Sequence, residues 1–66
     1  MKFDRAALKR LREERGLSQR DLATAAGVSP ATISRLEGGV RVDPKAGTVT
    51  RISRALNTSV EELIHP

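Results

Sequence analysis

Residues 18–37 carry the strongest folding signal in the chain, because capping residues divide them into two short helices. Ser18 can cap the first helix, and Gly27 marks its end, since glycine enters the left-handed conformation of a C-terminal cap without a Cβ penalty. Ser29 can cap the second helix, and Pro30 takes its first position, where the missing N–H costs nothing. One helix ends about two residues before the next begins, so the spacing predicts a helix-turn-helix.

The second helix of this pair has an outer face with little side-chain bulk. At about 100° per residue, Ile33 and Leu36 point to one side of it, whereas Ala31, Ser34 and Arg35 point to the other. Exposed faces of surface helices usually carry long charged side chains, so small residues beside one arginine indicate close approach to another body. A helix that is merely rich in serine and alanine is the alternative. The rigid turn before it and the basic charge of the chain weigh against that alternative.

Charge and composition favour duplex DNA as the other body. Twelve Lys and Arg residues stand against eight Asp and Glu residues, and the net charge of +4 favours a polyanion through counterion release. A basic surface that serves solubility alone is the alternative. Phe3 is the single aromatic residue, which leaves no stacking platform for single-stranded nucleic acid or for exposed RNA bases.

Length and composition also limit the other classes of function. Sixty-six residues form one domain, and without cysteine the chain has neither disulfides nor a thiolate zinc site. We expect no cofactor, no metal and no catalytic site, because the one histidine, His65, lies near the chain end and no carboxylates are paired in a pocket-forming context. No segment resembles a signal peptide or has the length to span a bilayer, so we expect a soluble cytoplasmic protein associated with the nucleoid.

Three further helices are predicted around the helix-turn-helix. The first begins at the N-cap Asp4 and ends at Gly16. The fourth starts with poor helix formers from Ala46, but its apolar residues recur at helical spacing and Asn57 can take a left-handed cap. A capping box over residues 59–62 predicts a short fifth helix.

Nine positions agree in type and order with the helix-turn-helix of the Cro and phage-repressor family, also called the xenobiotic-response-element family. They are Gln19, Leu22, Ala23, Ala26, Gly27, Val28, Ile33, Leu36 and Glu37. The chain resembles this family over about residues 8–64. The resemblance implies an all-α fold, a compact five-helix lambda-repressor-like DNA-binding domain.

The resemblance also implies an ion pair between Arg12 and Glu37 that ties helix one to helix three. On the helical wheel Arg12 lies about 40° from Leu8, at the border of the core, where a guanidinium needs a partner. Two separate surface charges with partners of their own are the alternative.

In function, the resemblance implies a sequence-specific transcriptional regulator, expected to be a repressor, that binds a palindromic double-stranded DNA operator as a homodimer. Helix three would lie in successive major grooves, with half-sites one helical turn apart. Base readout is expected from Pro30, Ala31, Thr32, Ser34 and Arg35, and phosphate contacts from Gln19, Arg20, Ser29, Arg41 and Lys45. Arg35 fits guanine O6 and N7, and Ala31 and Thr32 can touch a thymine methyl. Pro30 stands where phage repressors place a polar base-reading residue, so specificity would rest more on Arg35 and on DNA shape.

The resemblance places the dimer contact in the C-terminal region, at Val60, Leu63 and Ile64, and an exposed Leu63 or Ile64 would mark it. The alternative is that some of these residues close the core. A competing hypothesis is a protein-interaction module, such as the antitoxin of a toxin–antitoxin pair with a partner protein. A patch of Val40, Val42 and Leu63 would favour that module. No separate ligand-sensing or dimerisation domain is evident, so we expect either regulation by abundance alone or a chain that is a fragment.

Overall fold

Four α-helices form the body of the domain. The computed structural model describes residues 2–39 and 43–65. Its α-helices are α1 (Arg5–Glu14), α2 (Gln19–Ala26), α3 (Pro30–Glu37) and α4 (Ala46–Ala55). A short 3₁₀ helix (Val60–Leu63) follows, and the strands β1 (Lys2–Phe3) and β2 (Ile64–His65) pair antiparallel. Helices α2 and α3 lie where the capping residues predicted the helix-turn-helix.

The prediction of a five-helix domain is not confirmed, because the described chain has four α-helices and its last helical segment is a 3₁₀ helix. The last helix is a 3₁₀ helix, and the side chain of Ser59 before it makes no capping hydrogen bond. Ile64 after it is extended, with φ −132° and ψ 154°, and lies opposite Phe3 in the strand pair. The Leu63 carbonyl accepts a hydrogen bond from the Asp4 amide at 2.7 Å. Pairing with the N-terminal strand therefore ends the helix after one turn.

Helix ends elsewhere follow the predicted capping residues. Asp4 accepts a hydrogen bond from the Ala7 amide at 3.0 Å and begins α1. Gly16 after α1 has φ +68°, and Asn57 after α4 has φ +53°, which is the left-handed conformation predicted for both. Helix α4 is the exception at its start, because the N-cap position holds Lys45, which makes no side-chain capping hydrogen bond.

Apolar side chains from all the helices meet in one core. The largest fully buried residues are Leu8, Leu22, Ile33, Ile52, Leu56 and Leu63. Burying a side chain of this size stabilises the fold by roughly 1.5–3 kcal/mol. The inner side of α3 contributes Ile33 and Leu36 to this core, so the orientation of α3 is fixed by packing on the side opposite its small residues.

Leu63 belongs to this core, which corrects its predicted place in an exposed dimer patch. Its exposed fraction is 0%, because the 3₁₀ helix packs against both α1 and α4. Val60 and Ile64 are half-buried and pack against the core from outside. The patch of Val40, Val42 and Leu63 that would favour an antitoxin module therefore loses Leu63, and its two valines lie outside the described residues.

Candidate nucleic-acid interface

Hydrogen bonds at Ser18 and Ser29 set the starts of α2 and α3, and Gly27 sets the end of α2. Ser18 Oγ accepts from the Asp21 amide at 2.9 Å, and Asp21 Oδ2 accepts from the Ser18 amide at 3.1 Å, which completes a capping box. These hydrogen bonds, that of the Ser18 backbone foremost, hold the pKa of Asp21 below its ordinary value. Gly27 ends α2 with φ +69°, and Ser29 Oγ accepts from the Ala31 amide at 3.1 Å to begin α3. The backbone thus fixes the angle between the two helices.

The outer face of α3 points to solvent. Ala31, Ser34 and Arg35 are exposed and Thr32 is half-buried, whereas Ile33 on the inner side has an exposed fraction of 0%. In the described part of the chain, Arg35 takes part in none of the ion pairs. Packing of Ala31 or Arg35 against the protein's own interior would have ruled out a binding role for this face, and neither residue is buried.

A nearly buried ion pair ties the end of α3 to α1. Arg12 Nε donates to Glu37 Oε2 at 2.6 Å, and Arg12 Nη2 donates to Glu37 Oε1 at 2.9 Å. The exposed fractions of the two side chains are 11% and 5%. Arg12 Nη1 also donates to the Leu17 carbonyl at 2.7 Å. The structure thus brings together the two charges that the resemblance paired, and adds a hydrogen bond to the loop before α2.

Gln19 joins the same network from the first turn of α2. Its Nε2 donates to Glu37 Oε1 at 3.1 Å, so one carboxylate connects α1, α2 and α3. Burial raises the pKa of Glu37, but the hydrogen bonds from Arg12 and Gln19 and the positive charges of Arg12 and Lys9 outweigh it and hold that pKa below its ordinary value. The hydrogen bond to Glu37 in turn raises the pKa of Arg12. Both partners are therefore charged at neutral pH.

The other predicted DNA-binding residues flank α3. Arg20 is exposed in the first turn of α2, and Ser29 and Pro30 are exposed at the start of α3. Lys45 is exposed immediately before α4. Arg41 lies outside the described residues.

A groove of about 360 Å³ separates α3 from the start of α4. Its lining consists of Thr32, Arg35, Leu36, Asp43, Pro44, Lys45 and Thr48. Arg35, predicted to read a base, and Lys45, predicted to contact phosphate, therefore share one concave surface. That surface continues the outer face of α3.

Two arginine contacts were missed by the sequence reasoning. The Arg5 guanidinium lies over Gly39, where an added Cβ would overlap Nη1 and would lie 3.0 Å from Cζ. Arg15 Nη1 donates to the Leu11 carbonyl at 3.2 Å, and its Nε donates to the Leu56 carbonyl, which joins α1 to the end of α4. The residues joined are far apart in the sequence, so helical spacing gives no signal for either contact between segments.

Among the residues that the structure describes, no group of three or more His, Cys, Asp or Glu side chains is arranged to hold a metal ion. No helix in residues 2–39 and 43–65 is long and apolar enough to cross a membrane. The described groups with shifted pKa values are Arg12, Asp21 and Glu37. All three take part in hydrogen bonds that hold helix ends.

The geometry defines a helix-turn-helix domain. Two helices are joined at a left-handed glycine, the second has an exposed face of small residues, and a buried ion pair lies behind that face. A family model described as helix-turn-helix matches residues 8–63. The chain belongs to this helix-turn-helix family, that of the Cro and phage repressors.

Relatives and solved structures with the same fold are named as regulators. The HTH-type transcriptional repressor RghR of Bacillus subtilis (strain 168) is 47% identical over 58 residues, which cover 88% of this chain and 43% of that protein. This chain therefore spans less than half the length of the curated relatives that it matches. The restriction-modification controller protein C.AhdI from Aeromonas hydrophila has a crystal structure with TM-score 0.84 and 28% identity, covering 91% of this chain and 89% of that one.

The biofilm regulator SinR of Bacillus subtilis provides a comparison that contains DNA. The crystal structure of SinR in complex with DNA matches with TM-score 0.77 and 32% identity, covering 80% of this chain and 84% of that one. Similarity at this level places the helices of the two domains in the same arrangement.

Proposed function

We propose that this domain binds double-stranded DNA in a sequence-specific manner and represses transcription. The observation that carries the proposal is the exposed small-residue face of α3, held outward by the buried Arg12–Glu37 pair behind it. The DNA major groove is about 12 Å wide and admits an α-helix, and short side chains let the helix backbone approach the base edges closely. RghR is named a transcriptional repressor, and SinR has been solved in complex with DNA. The family is one of DNA-binding regulators, and the proposal includes no catalysis.

Base readout is assigned to the first two turns of α3. Arg35 is the leading group, because a guanidinium binds guanine O6 and N7 through two hydrogen bonds. Ala31 and Thr32 offer methyl groups to a thymine methyl, and Ser34 offers a hydroxyl. Pro30 is exposed at the start of the helix and offers only apolar contact, so DNA shape contributes to specificity at that position.

Phosphate contacts are assigned to both sides of α3. On one side, the N-terminus of α2 favours an anion because its backbone N–H groups and dipole are positive, and Arg20 adds a charge there. One N–H of the Gln19 amide is engaged by Glu37, so the second is the donor assigned to a phosphate. Ser29 is a weaker candidate, since its hydroxyl already caps α3. On the other side, exposed Lys45 is assigned to the second strand.

Arg41 is assigned to that same strand from its position in the sequence, four residues before Lys45. It carries the same charge in the same connection between α3 and α4. We therefore expect the two side chains to bind neighbouring phosphates.

We further propose that the domain acts as a homodimer on a palindromic operator. One recognition helix reads only a few base pairs, so two half-sites one helical turn apart are needed for selectivity. Val60 and Ile64 are the C-terminal candidates that remain partly exposed, and with Phe3 they line an apolar cleft of about 250 Å³. A second copy of the chain is the proposed occupant. Sedimentation of the wild type, of Ile64→Asp and of Glu61→Gln, a control on an exposed neighbour, tests this interface. If the wild type and Ile64→Asp have identical masses at all concentrations, the proposed interface is refuted.

Random-site selection on duplex DNA, followed by titrations on matched and mismatched duplexes, tests the base-reading assignment. Arg35→Ala is expected to weaken binding by about 1–3 kcal/mol and to relax preference at one base pair. Lys45→Ala, the matched control, and Arg41→Ala are expected to weaken binding to all duplexes alike. If Arg35→Ala behaves as Lys45→Ala does, Arg35 does not read a base. If selection yields no preferred sequence, the proposal of sequence-specific binding fails.

A further inference from the structure

We propose that α1 carries a second phosphate-binding stripe, formed by Arg5 and Lys9 beside the C-terminal end of α3. This proposal rests on the proposed function, because it assigns further groups to the same DNA interface. It extends that interface from the helix-turn-helix and the α3–α4 connection to the first helix of the domain.

The two residues share one side of α1 with Arg12. Positions 5, 9 and 12 fall within about 60° of each other on a helical wheel. Arg12 is buried at one end of this row and reaches Glu37, the last residue of α3. Arg5 and Lys9 are exposed, so they present their charges on the side of α1 that faces the end of α3.

Arg5 contacts the segment after that end of α3, and Lys9 lies one helical turn from Arg12, which binds Glu37 there. The Arg5 guanidinium lies over Gly39, the second residue after α3, closely enough that an added Cβ would overlap it. Lys9 lies three residues before Arg12 on the same side of α1, and its positive charge contributes to the lowered pKa of Glu37. In the described residues neither cation belongs to an ion pair. Both charges are therefore available to a ligand.

The energetics of α1 by itself does not explain a cation at position 5. Arg5 occupies the first position of α1, where the positive end of the helix dipole disfavours a cation. The acidic residue nearest in sequence is the N-cap Asp4, whose carboxylate accepts from the Ala7 amide, and the first turn of α1 itself contains none. A ligand that gains from a cation at this place is therefore the better account.

The geometry of α3 brings a phosphate strand to the same place. In a helix-turn-helix the N-terminal residues of the recognition helix contact the base edges, and Arg35 is the last of the assigned base-reading residues of α3. We therefore place the residues that follow Arg35, at the C-terminal end of α3, away from the bases and toward the phosphates at the groove wall. Glu37 would repel a phosphate there, but Arg12 neutralises it, and Arg5 and Lys9 make the local charge positive.

Salt-dependent binding measures the stripe directly. A fluorescein-labelled duplex from random-site selection and a scrambled duplex of equal length are titrated by anisotropy at a series of KCl concentrations. The slope of log K against log salt changes by about 0.9 for each phosphate that the protein neutralises. Arg5→Ala and Lys9→Ala are each expected to reduce the slope by about that amount on both duplexes, and the double variant by about twice it. Arg5→Lys is expected to keep the wild-type slope.

Arg10→Ala is the matched control, because Arg10 is exposed on another side of the same helix and is paired with Glu14. Its slope is expected to equal that of the wild type. If the stripe variants and Arg10→Ala share one slope while wild type binds DNA, the stripe is wrong and the proposed function stands. If wild type binds neither duplex, both are wrong. Circular dichroism of each variant separates a missing phosphate interaction from an unfolded protein. If Arg5→Ala does not fold, the slope of Lys9→Ala still tests the stripe.

Discussion

Removing the Arg12 charge is expected to cost this domain a large part of its stability. Arg12→Met keeps the apolar stem but leaves Glu37, whose side chain is only 5% exposed, with Gln19 as its remaining hydrogen-bond donor. Breaking a buried ion pair by removing one partner costs roughly 3–5 kcal/mol. A chain of 66 residues has a total free energy of unfolding of about 3–10 kcal/mol, at 0.05–0.15 kcal/mol per residue. The variant should therefore be marginally folded.

Urea unfolding followed by far-UV circular dichroism measures this loss. The matched control is Arg10→Met, because the pair of Arg10 with Glu14 has a distance of 3.5 Å and side chains 56% and 54% exposed. Such an exposed pair is worth about 0.3–0.5 kcal/mol. Trimethylamine oxide, which favours the compact state, keeps the Arg12→Met baseline measurable.

The double variant Arg12→Met/Glu37→Leu tests the cause of the loss. Replacing both charges by apolar side chains removes the stranded carboxylate, so most of the lost stability should return. A loss below about 1 kcal/mol for Arg12→Met, or equal losses for Arg12→Met and Arg10→Met, would refute the view that α3 is held by a buried ion pair. A double variant no more stable than Arg12→Met would show that packing, not charge, is the cause.

Three smaller effects are also expected. The pKa of Glu37 lies below its ordinary value in the folded protein. The stability advantage of wild type over Glu37→Gln should therefore be complete above the unfolded-state pKa, about 4.3, and should decrease as pH falls through the lower folded-state pKa. Urea unfolding across acidic pH measures this advantage. Gly27→Ala should lower the free energy of unfolding by about 1 kcal/mol through backbone strain alone, because its Cβ meets open space. Gly39→Ala should lower it further, because its Cβ must also displace Arg5. Equal losses of stability in thermal unfolding would contradict this. Ser18→Ala removes the capping box of α2 and should cost about 0.5–2 kcal/mol in the same assay.

The helices could be predicted because their signals are local. The side chains of Asp4 and Ser18 accept hydrogen bonds from nearby amides, and Gly27 ends α2 through its own left-handed conformation, so the sequence nearby determines these helix ends. The conformation of the C-terminal segment could not be predicted in full, for the opposite reason. Ser59 carries a local helix signal, but the conformation of the segment after it depends on pairing with Phe3, near the other end of the chain.

The candidate site divides in the same way. The outward face of α3 follows from helical periodicity, and the Arg12–Glu37 pair follows from the family resemblance supported by the position of Arg12 at the border of the core. The link from Gln19 to Glu37 and the packing of Arg5 over Gly39 depend on how three helices meet. No spacing in the sequence encodes those distances.

Under the proposed function, the separation of the outer face of α3 from its anchoring side allows the DNA preference to change without loss of the fold. Ala31, Ser34 and Arg35 are exposed, and surface substitutions away from caps and buried networks usually alter stability by no more than about 0.5 kcal/mol. Ile33 and Glu37, one or two positions away, carry the anchoring. New operator preferences can therefore arise by mutation without passing through unfolded intermediates, and a library randomised at the three outer positions should yield folded variants with altered preferences.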